Sequence, residues 1–147
     1  MKDILKEKLG NLIKEIKVVN EKRIYITIDK KDIKKAAEII FKDMEGRYII
    51  VTGIDNFDNF ELLYHFSFDK KGGVIVSLKT FIDNKKRPEI ESLTCLIPGI
   101  SYIEREIWEL LGINFIGHPD LKHFLLRDDW EEGNYPLRKE VKTDGKK

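Results

Sequence analysis

The stretch RYIIVTGIDNFDNFELLYHFSFDKKGGVIVSLKTF, residues 47–81, decides how this chain folds. RYIIVTGID (47–55) opens with an unbroken apolar run. ELLYHFSFD (61–69) alternates Leu62, Tyr64, Phe66 and Phe68, and GVIVSLKTF (73–81) alternates Val74, Val76 and Leu78. Successive side chains of a strand point to opposite faces, so a period of two marks strands with one face in the core. The links Phe57-Asp58-Asn59 and Lys70-Lys71-Gly72-Gly73 are turn-like and too short for crossovers. The segment therefore reads as an antiparallel meander.

Upstream, RIYITID (23–29) alternates Ile24, Ile26 and Ile28 and reads as another half-buried strand. A helix follows, with Asp29 as N-cap, an apolar stripe of Ile33, Ala36, Ala37, Ile40 and Met44, and Gly46 as a left-handed stop. Residues 2–16 read as one amphipathic helix on Leu5, Leu9, Leu12 and Ile16. This order of elements predicts an α+β fold in two layers, with helices on one face of a mostly antiparallel sheet. Residues 1–100 form the core on this reading. Residues 101–147 add a helix and an irregular C-terminal strap to the same domain. Residues 83–89 read as a solvated loop and the tail KTDGKK (142–147) as frayed.

At 147 residues the chain has the length of one domain able to bury a core. Lys and Arg (27) nearly cancel Asp and Glu (26), which argues against a general nucleic-acid binder. Glutamine is absent and Ile, Lys and Glu are abundant, a bias that fits heat adaptation. A single cysteine, Cys95, excludes an internal disulfide and any CxxC cluster; between Leu93, Leu96 and Ile97 it reads as a buried, inert thiol. The longest charge-free run, Leu93–Ile103, is broken by Pro98 and too short for a bilayer. A soluble, cytoplasmic chain is expected, reaching a membrane only through other proteins.

Residues 101–139 hold the functional signal. Ser101 and Glu104 have capping-box spacing, Ile103, Ile107, Leu110 and Leu111 form a core stripe, and Arg105 and Glu109 are placed for an i,i+4 ion pair. Gly112 is the expected C-terminal stop, with Ile113 returning to Trp108. Glu106, Trp108 and Glu109 lie off the stripe. After Gly112 no period persists, yet Phe115, Leu121, Phe124, Leu125, Leu126, Trp130, Tyr135 and Leu137 are too apolar to be left in water cheaply. An apolar extension rimmed with charge suits a binding surface.

Enzyme readings are weaker. His118, Asp120 and His123 could ligate a metal, but the histidines are five apart across Pro119, which is not a helix-face spacing. Asp128 with Asp129, or Glu104 with Glu106, could act as paired acids, and Cys95 with His65 or His118 as a nucleophile pair. No glycine-rich phosphate loop occurs.

Glu104-Arg105-Glu106, Glu109-Leu110-Leu111-Gly112, Phe115, Gly117-His118-Pro119-Asp120-Leu121, Asp129-Trp130 and Tyr135-Pro136-Leu137-Arg138-Lys139 closely resemble the signature of the 30 kDa subunit family of respiratory complex I. The same module occurs in energy-converting membrane-bound nickel–iron hydrogenases and formate hydrogenlyases. The resemblance implies a subunit that binds no cofactor itself and clasps the large catalytic subunit on the inner face of the membrane. Small iron–sulfur proteins would complete the set, with iron–sulfur clusters, and in a hydrogenase a nickel–iron centre, in those partners. It implies interface roles for Glu104, Arg105, Glu106, Trp108, Glu109, His118, Asp120, Arg127, Asp129, Trp130, Tyr135 and Arg138. Among these, Arg105, Arg127 and Arg138 would pair bidentately with partner acids, and Trp108, Trp130 and Tyr135 would be anchors. The chain departs from the pattern at Lys122-His123-Phe124 and at Arg127, where proline is common. Its ending from Glu132 to Lys139 is more similar to the shorter hydrogenase-type proteins. A hydrogenase complex is therefore expected over an NADH- or coenzyme-F-linked dehydrogenase.

Overall fold

A computed structural model of the chain describes residues 1–139; the predicted frayed tail at 142–147 lies outside them. The meander forms as its period predicts. Strands β3 (Arg47–Asp55), β4 (Phe60–Phe68) and β5 (Val74–Ile82) pair antiparallel, with Tyr64 flanked by Val51 and Leu78. Strand β2 (Arg23–Ile28) lies parallel to β5, with Ile26 beside Leu78. Strand β1 (Ile13–Asn20) completes that edge antiparallel to β2, giving the order β1-β2-β5-β4-β3.

The alternation sorts the two faces. Ile24, Ile26, Ile28, Leu62, Tyr64, Phe66, Val76 and Leu78 are buried in one core with Leu5 and Leu9 of α1 (Lys2–Leu9), Ile33, Ala36 and Ala37 of α2 (Ile33–Glu38), and Ile107 and Leu111 of α3 (Ser101–Leu111). On the other face His65 bridges Thr52 and Ser77 through its two ring nitrogens, at 3.0 and 2.7 Å. The fold is the expected α+β arrangement.

Three local expectations fail for identifiable reasons. The first helix ends at Leu9, because Gly10 takes φ of 50° and the β-branched run through Ile13, Ile16 and Val18 goes into β1 instead. Ile16 still packs against the core, but from a strand. The second helix continues past Glu38 as a π-helical turn, Ile39–Asp43. It is stopped by Glu45, not Gly46, at φ of 55°. Gly46 donates its N–H to Ile40 O at 2.8 Å, so close that a Cβ there would sit 2.9 Å from Ile40. The loop after β5 is not wholly solvated, since Lys85 turns inward to the buried Asp55.

A second, small sheet pairs β6 (Glu89–Glu91) in parallel with β7 (Asn114–Ile116), burying Ile90 opposite Phe115. This pins the chain on either side of α3. Gly53 of β3 lets α3 come close, for a Cβ there would lie 3.0 Å from Leu111 and 3.4 Å from Ile107.

Candidate functional site

The site is built from α3 and the strap behind it. Ser101 is already the first helical residue, after a turn at Pro98–Ile100, so the capping box does not form. Ser101 Oγ instead meets His118 Nε2 at 3.2 Å. Glu104 points into the protein, fully buried, and accepts hydrogen bonds from Ser92 Oγ at 2.6 Å and Leu93 N–H at 2.8 Å. Burial pushes its carboxyl up to about 7 against the pull of those two bonds. Burial, with the Glu104 charge adding to it, also lifts the Tyr48 phenol to about 12.

Glu109 does not pair with Arg105. Its buried carboxylate accepts the backbone N–H groups of Phe124, Leu125 and Leu126 at 3.0, 2.7 and 3.3 Å, and His123 Nδ1 lies 3.2 Å away. Burial works to raise the Glu109 carboxyl, but these partners together hold it below the usual carboxylate range. Arg105 donates to the carbonyls of Lys122 and His123 at 3.0 and 2.7 Å. Two side chains one turn apart on α3 thus grip opposite polar groups of one strap segment. An exposed i,i+4 pair would contribute only a few tenths of a kcal/mol, whereas charge-assisted bonds to backbone contribute more.

The strap then folds back over the C-terminal end of α3. Gly112 takes φ of 75° and donates to Trp108 O at 2.9 Å, as its spacing predicts. The free carbonyls of Leu110 and Leu111 accept from Leu137 N–H at 3.0 Å and Arg138 Nε at 2.8 Å. The Arg138 guanidinium also lies over the rings of Tyr135 and Phe60, at 4.7 and 5.2 Å. Lys139 N–H reaches Asp55 Oδ2 at 2.8 Å. Burial opposes ionisation of Asp55, but Lys85 and two backbone N–H groups hold its carboxyl below the usual range.

The remaining sequence candidates are placed as follows. Asp120 pairs with Lys122 at 2.9 Å and Arg127 with Asp129 at 2.9 Å, both in solvent. Trp130 donates its indole N–H to Asn134 O at 2.8 Å, and Trp108 packs against the His123 ring at 5.4 Å. Glu106 is half-buried on α3. His118 accepts from Asp120 N–H at 3.0 Å and faces Ser101 O at 3.1 Å. It therefore closes the turn against α3, while His123 serves Glu109. Among the described residues no three His, Cys, Asp or Glu side chains gather as a metal site. Cys95 is exposed, contrary to expectation, beside Lys34, Glu38 and Lys42. His65 and His118 are each bonded elsewhere. Sequence reasoning missed Asp55, Lys85 and Ser92. A short polar side chain at the end of a strand gives no periodic signal of its own.

The strap keeps large apolar groups in solvent: Phe124 is 44% exposed, Leu125 60%, Trp130 36% and Leu137 60%. Tyr102 of α3 extends this surface, 5.4 Å from Phe124 between ring centres.

The model of the family described as "Respiratory-chain NADH dehydrogenase, 30 Kd subunit" matches residues 26–147. A subunit of the F(420)H(2) dehydrogenase of Methanosarcina mazei is 34% identical over 137 residues, covering 90% of this chain and 84% of its own. A subunit of the NADH-quinone oxidoreductase of Roseiflexus castenholzii is 35% identical over 112 residues, covering 71% of this chain and 62% of its own. A much longer NADH-quinone oxidoreductase protein of Phocaeicola vulgatus is 34% identical over 112 residues, and this chain spans 21% of its length. Among solved structures, a chain of the membrane-bound sulfane sulfur reductase (MBS), an archaeal respiratory membrane complex, superposes with a TM-score of 0.78 at 23% identity over 93% of this chain and 82% of that one. The trypsin-resistant fragment (1–134) of Nqo5 superposes at 0.67 and 20% identity, over 82% and 98%. At these identities the structures establish a shared fold.

Proposed function

Because this chain belongs to the family of the respiratory-chain NADH dehydrogenase 30 kDa subunit, we propose that it is a non-catalytic docking subunit of a complex I-related, membrane-bound oxidoreductase. The observation that carries this reading is the strap. It is held to its own domain by Glu109, Arg105, Arg138 and Asp55, yet turns Phe124, Leu125, Trp130 and Leu137 outward. Preformed apolar surface of this kind favours association, because little ordering entropy remains to be lost on binding. Its partner on this reading is the large catalytic subunit, with small iron–sulfur proteins beyond it. Among the described residues no helix is long and apolar enough to cross a membrane. Attachment to the inner face of the membrane would run through the complex.

The chain's interface contribution would come from α3 and the strap, with Trp130 as an aromatic anchor. The two buried carboxylates, Glu104 and Glu109, would act indirectly by holding that surface in shape. The resemblance of residues 132–139 to hydrogenase-type proteins supports a nickel–iron hydrogenase as the machine served. The names of the relatives favour a quinone- or F(420)H(2)-linked dehydrogenase instead. Affinity capture of the tagged chain from its native membranes tests both levels. A large subunit and iron–sulfur proteins should co-purify, and Leu125→Glu or Trp130→Ala should release them. Recovery of the chain alone would end the docking reading. Stoichiometric nickel and hydrogen-dependent reduction of an artificial dye would mark the captured complex as a hydrogenase, and their absence as a dehydrogenase.

A further inference from the structure

Resting on that docking reading, we propose that the cleft between α3 and the strap receives an arginine side chain of the partner protein. The cleft has a volume of about 430 Å³ and is lined by Trp108, Trp130 and Tyr135, with Asp128, Glu131 and Glu132 exposed around it. Aromatic faces carry negative electrostatic potential and attract a cation, and carboxylates beside them add charge and acceptors. The combination selects a flat, delocalised cation that stacks and donates in one plane, which describes guanidinium better than ammonium.

The walls are already set. Trp108 is backed by the His123 ring, the Trp130 indole N–H is bonded to Asn134 O, and Tyr135 lies against Gly112. The buried carboxylate at the base, Glu109, is taken up by backbone N–H groups and is not free for a ligand. The three outer acids are free of such internal bonds. Asp29, Glu38, Asp69, Asp120 and Asp129 each have a lysine or arginine within 3.2 Å, while other acids such as Glu7, Glu15 and Asp83 form no ion pair among the described residues. What sets Asp128, Glu131 and Glu132 apart is that they stand around aromatic walls. Among the described residues, no lysine or arginine lines the cleft, and Asp128, Glu131 and Glu132 form no ion pair. Among the described residues, a chain of net charge +1 thus keeps an acidic, aromatic pocket with no basic side chain in its lining.

The chain's own arginines support this direction of charge. Arg105 and Arg138, expected to reach partner acids, are engaged by carbonyls of their own chain. Of the three arginines expected to pair across the interface, only Arg127, paired with Asp129 in solvent, is free to exchange partners. The partner would accordingly bring the cation.

Two measurements test the proposal. The full chain is titrated with N-acetyl-arginine amide and with the neutral citrulline counterpart, following the indole N–H resonances of Trp108 and Trp130. The arginine probe should shift both saturably, the citrulline probe should not, and a variant carrying Asp128→Asn, Glu131→Gln and Glu132→Gln should bind about tenfold more weakly. Equal response to both probes, or unchanged binding by the variant, overturns the proposal. In membrane capture at low salt, the same variant should lose several-fold of its large subunit, and its deficit relative to the parent should shrink as salt is raised. If Trp130→Ala releases the partner while the triple variant keeps it, docking stands and the arginine site falls. If the unaltered chain captures nothing, both fall.

Discussion

Gly112 ends α3 directly beneath Tyr135: a Cβ at position 112 would lie 2.5 Å from the Tyr135 ring. The left-handed φ of 75° and the ring's close approach both require glycine. Gly112→Ala should cost about 1–3 kcal/mol. It should also lift the strap, so that limited proteolysis cuts within residues 124–138 before the core. Unchanged denaturation and an unchanged cleavage pattern would contradict the packing.

Glu104 sets a pH dependence with a definite sign. Its folded carboxyl, at about 7, lies above the ordinary value of 4.5. The folded state therefore holds the proton more tightly than the unfolded chain. The resulting stabilisation is complete below about pH 4.5 and is lost as pH rises to about 7, by on the order of 3 kcal/mol. Glu104→Gln keeps an acceptor for Leu93 N–H and carries no charge. Denaturation between pH 5 and 8 should show the parent weakening and the variant nearly level.

Glu109 has the opposite sign. Its carboxyl is held below the usual range, so its contribution is present above pH 4.5 and is lost as pH falls through the lowered folded value. Glu109→Gln places an amide among N–H donors. It should expose the amides of Phe124, Leu125 and Leu126 to hydrogen exchange, raising their rates about 10- to 100-fold, the factor for roughly 1.5–3 kcal/mol of lost charge-assisted bonding. Protection equal to the parent would mean that the strap is held by something else.

Lys85→Met leaves the buried Asp55 carboxylate without its cation. The expected cost is about 2–3 kcal/mol near neutral pH, largely relieved in Lys85→Met with Asp55→Asn. A double-mutant cycle on thermal unfolding measures the coupling. Strict additivity of the two changes would argue that they do not interact.

The meander and β2 were legible because alternation is a property of neighbouring residues, and Tyr64, Leu78 and Ile26 report it directly. Strand β1 was not, since Leu5, Leu9, Leu12 and Ile16 fit a helical period although Gly10 interrupts it. In α3 the spacing of Ile107, Leu111 and Gly112 was readable, but the destinations of Glu104, Arg105 and Glu109 were not. Each meets a group 11 to 18 positions away, across a loop with no period. Local rules supplied a nearer partner in each case, Ser101 for Glu104 and Arg105 for Glu109, and tertiary contacts overrode both. The exposed Cys95 shows the reverse limit, an apolar neighbourhood in sequence that faces outward in space.

The parallel joint between β2 and β5 also bears on how the chain reaches its fold. The β1–β2 hairpin and the β3–β5 meander can each form from near neighbours. Arg23 and Ile75, which meet at the joint, are separated by roughly fifty residues of loop to be closed. Two locally assembled pieces would exist first, each with an open strand edge. The joining of those edges is then the slow step, and the interval in which the chain is most prone to pair with another copy of itself.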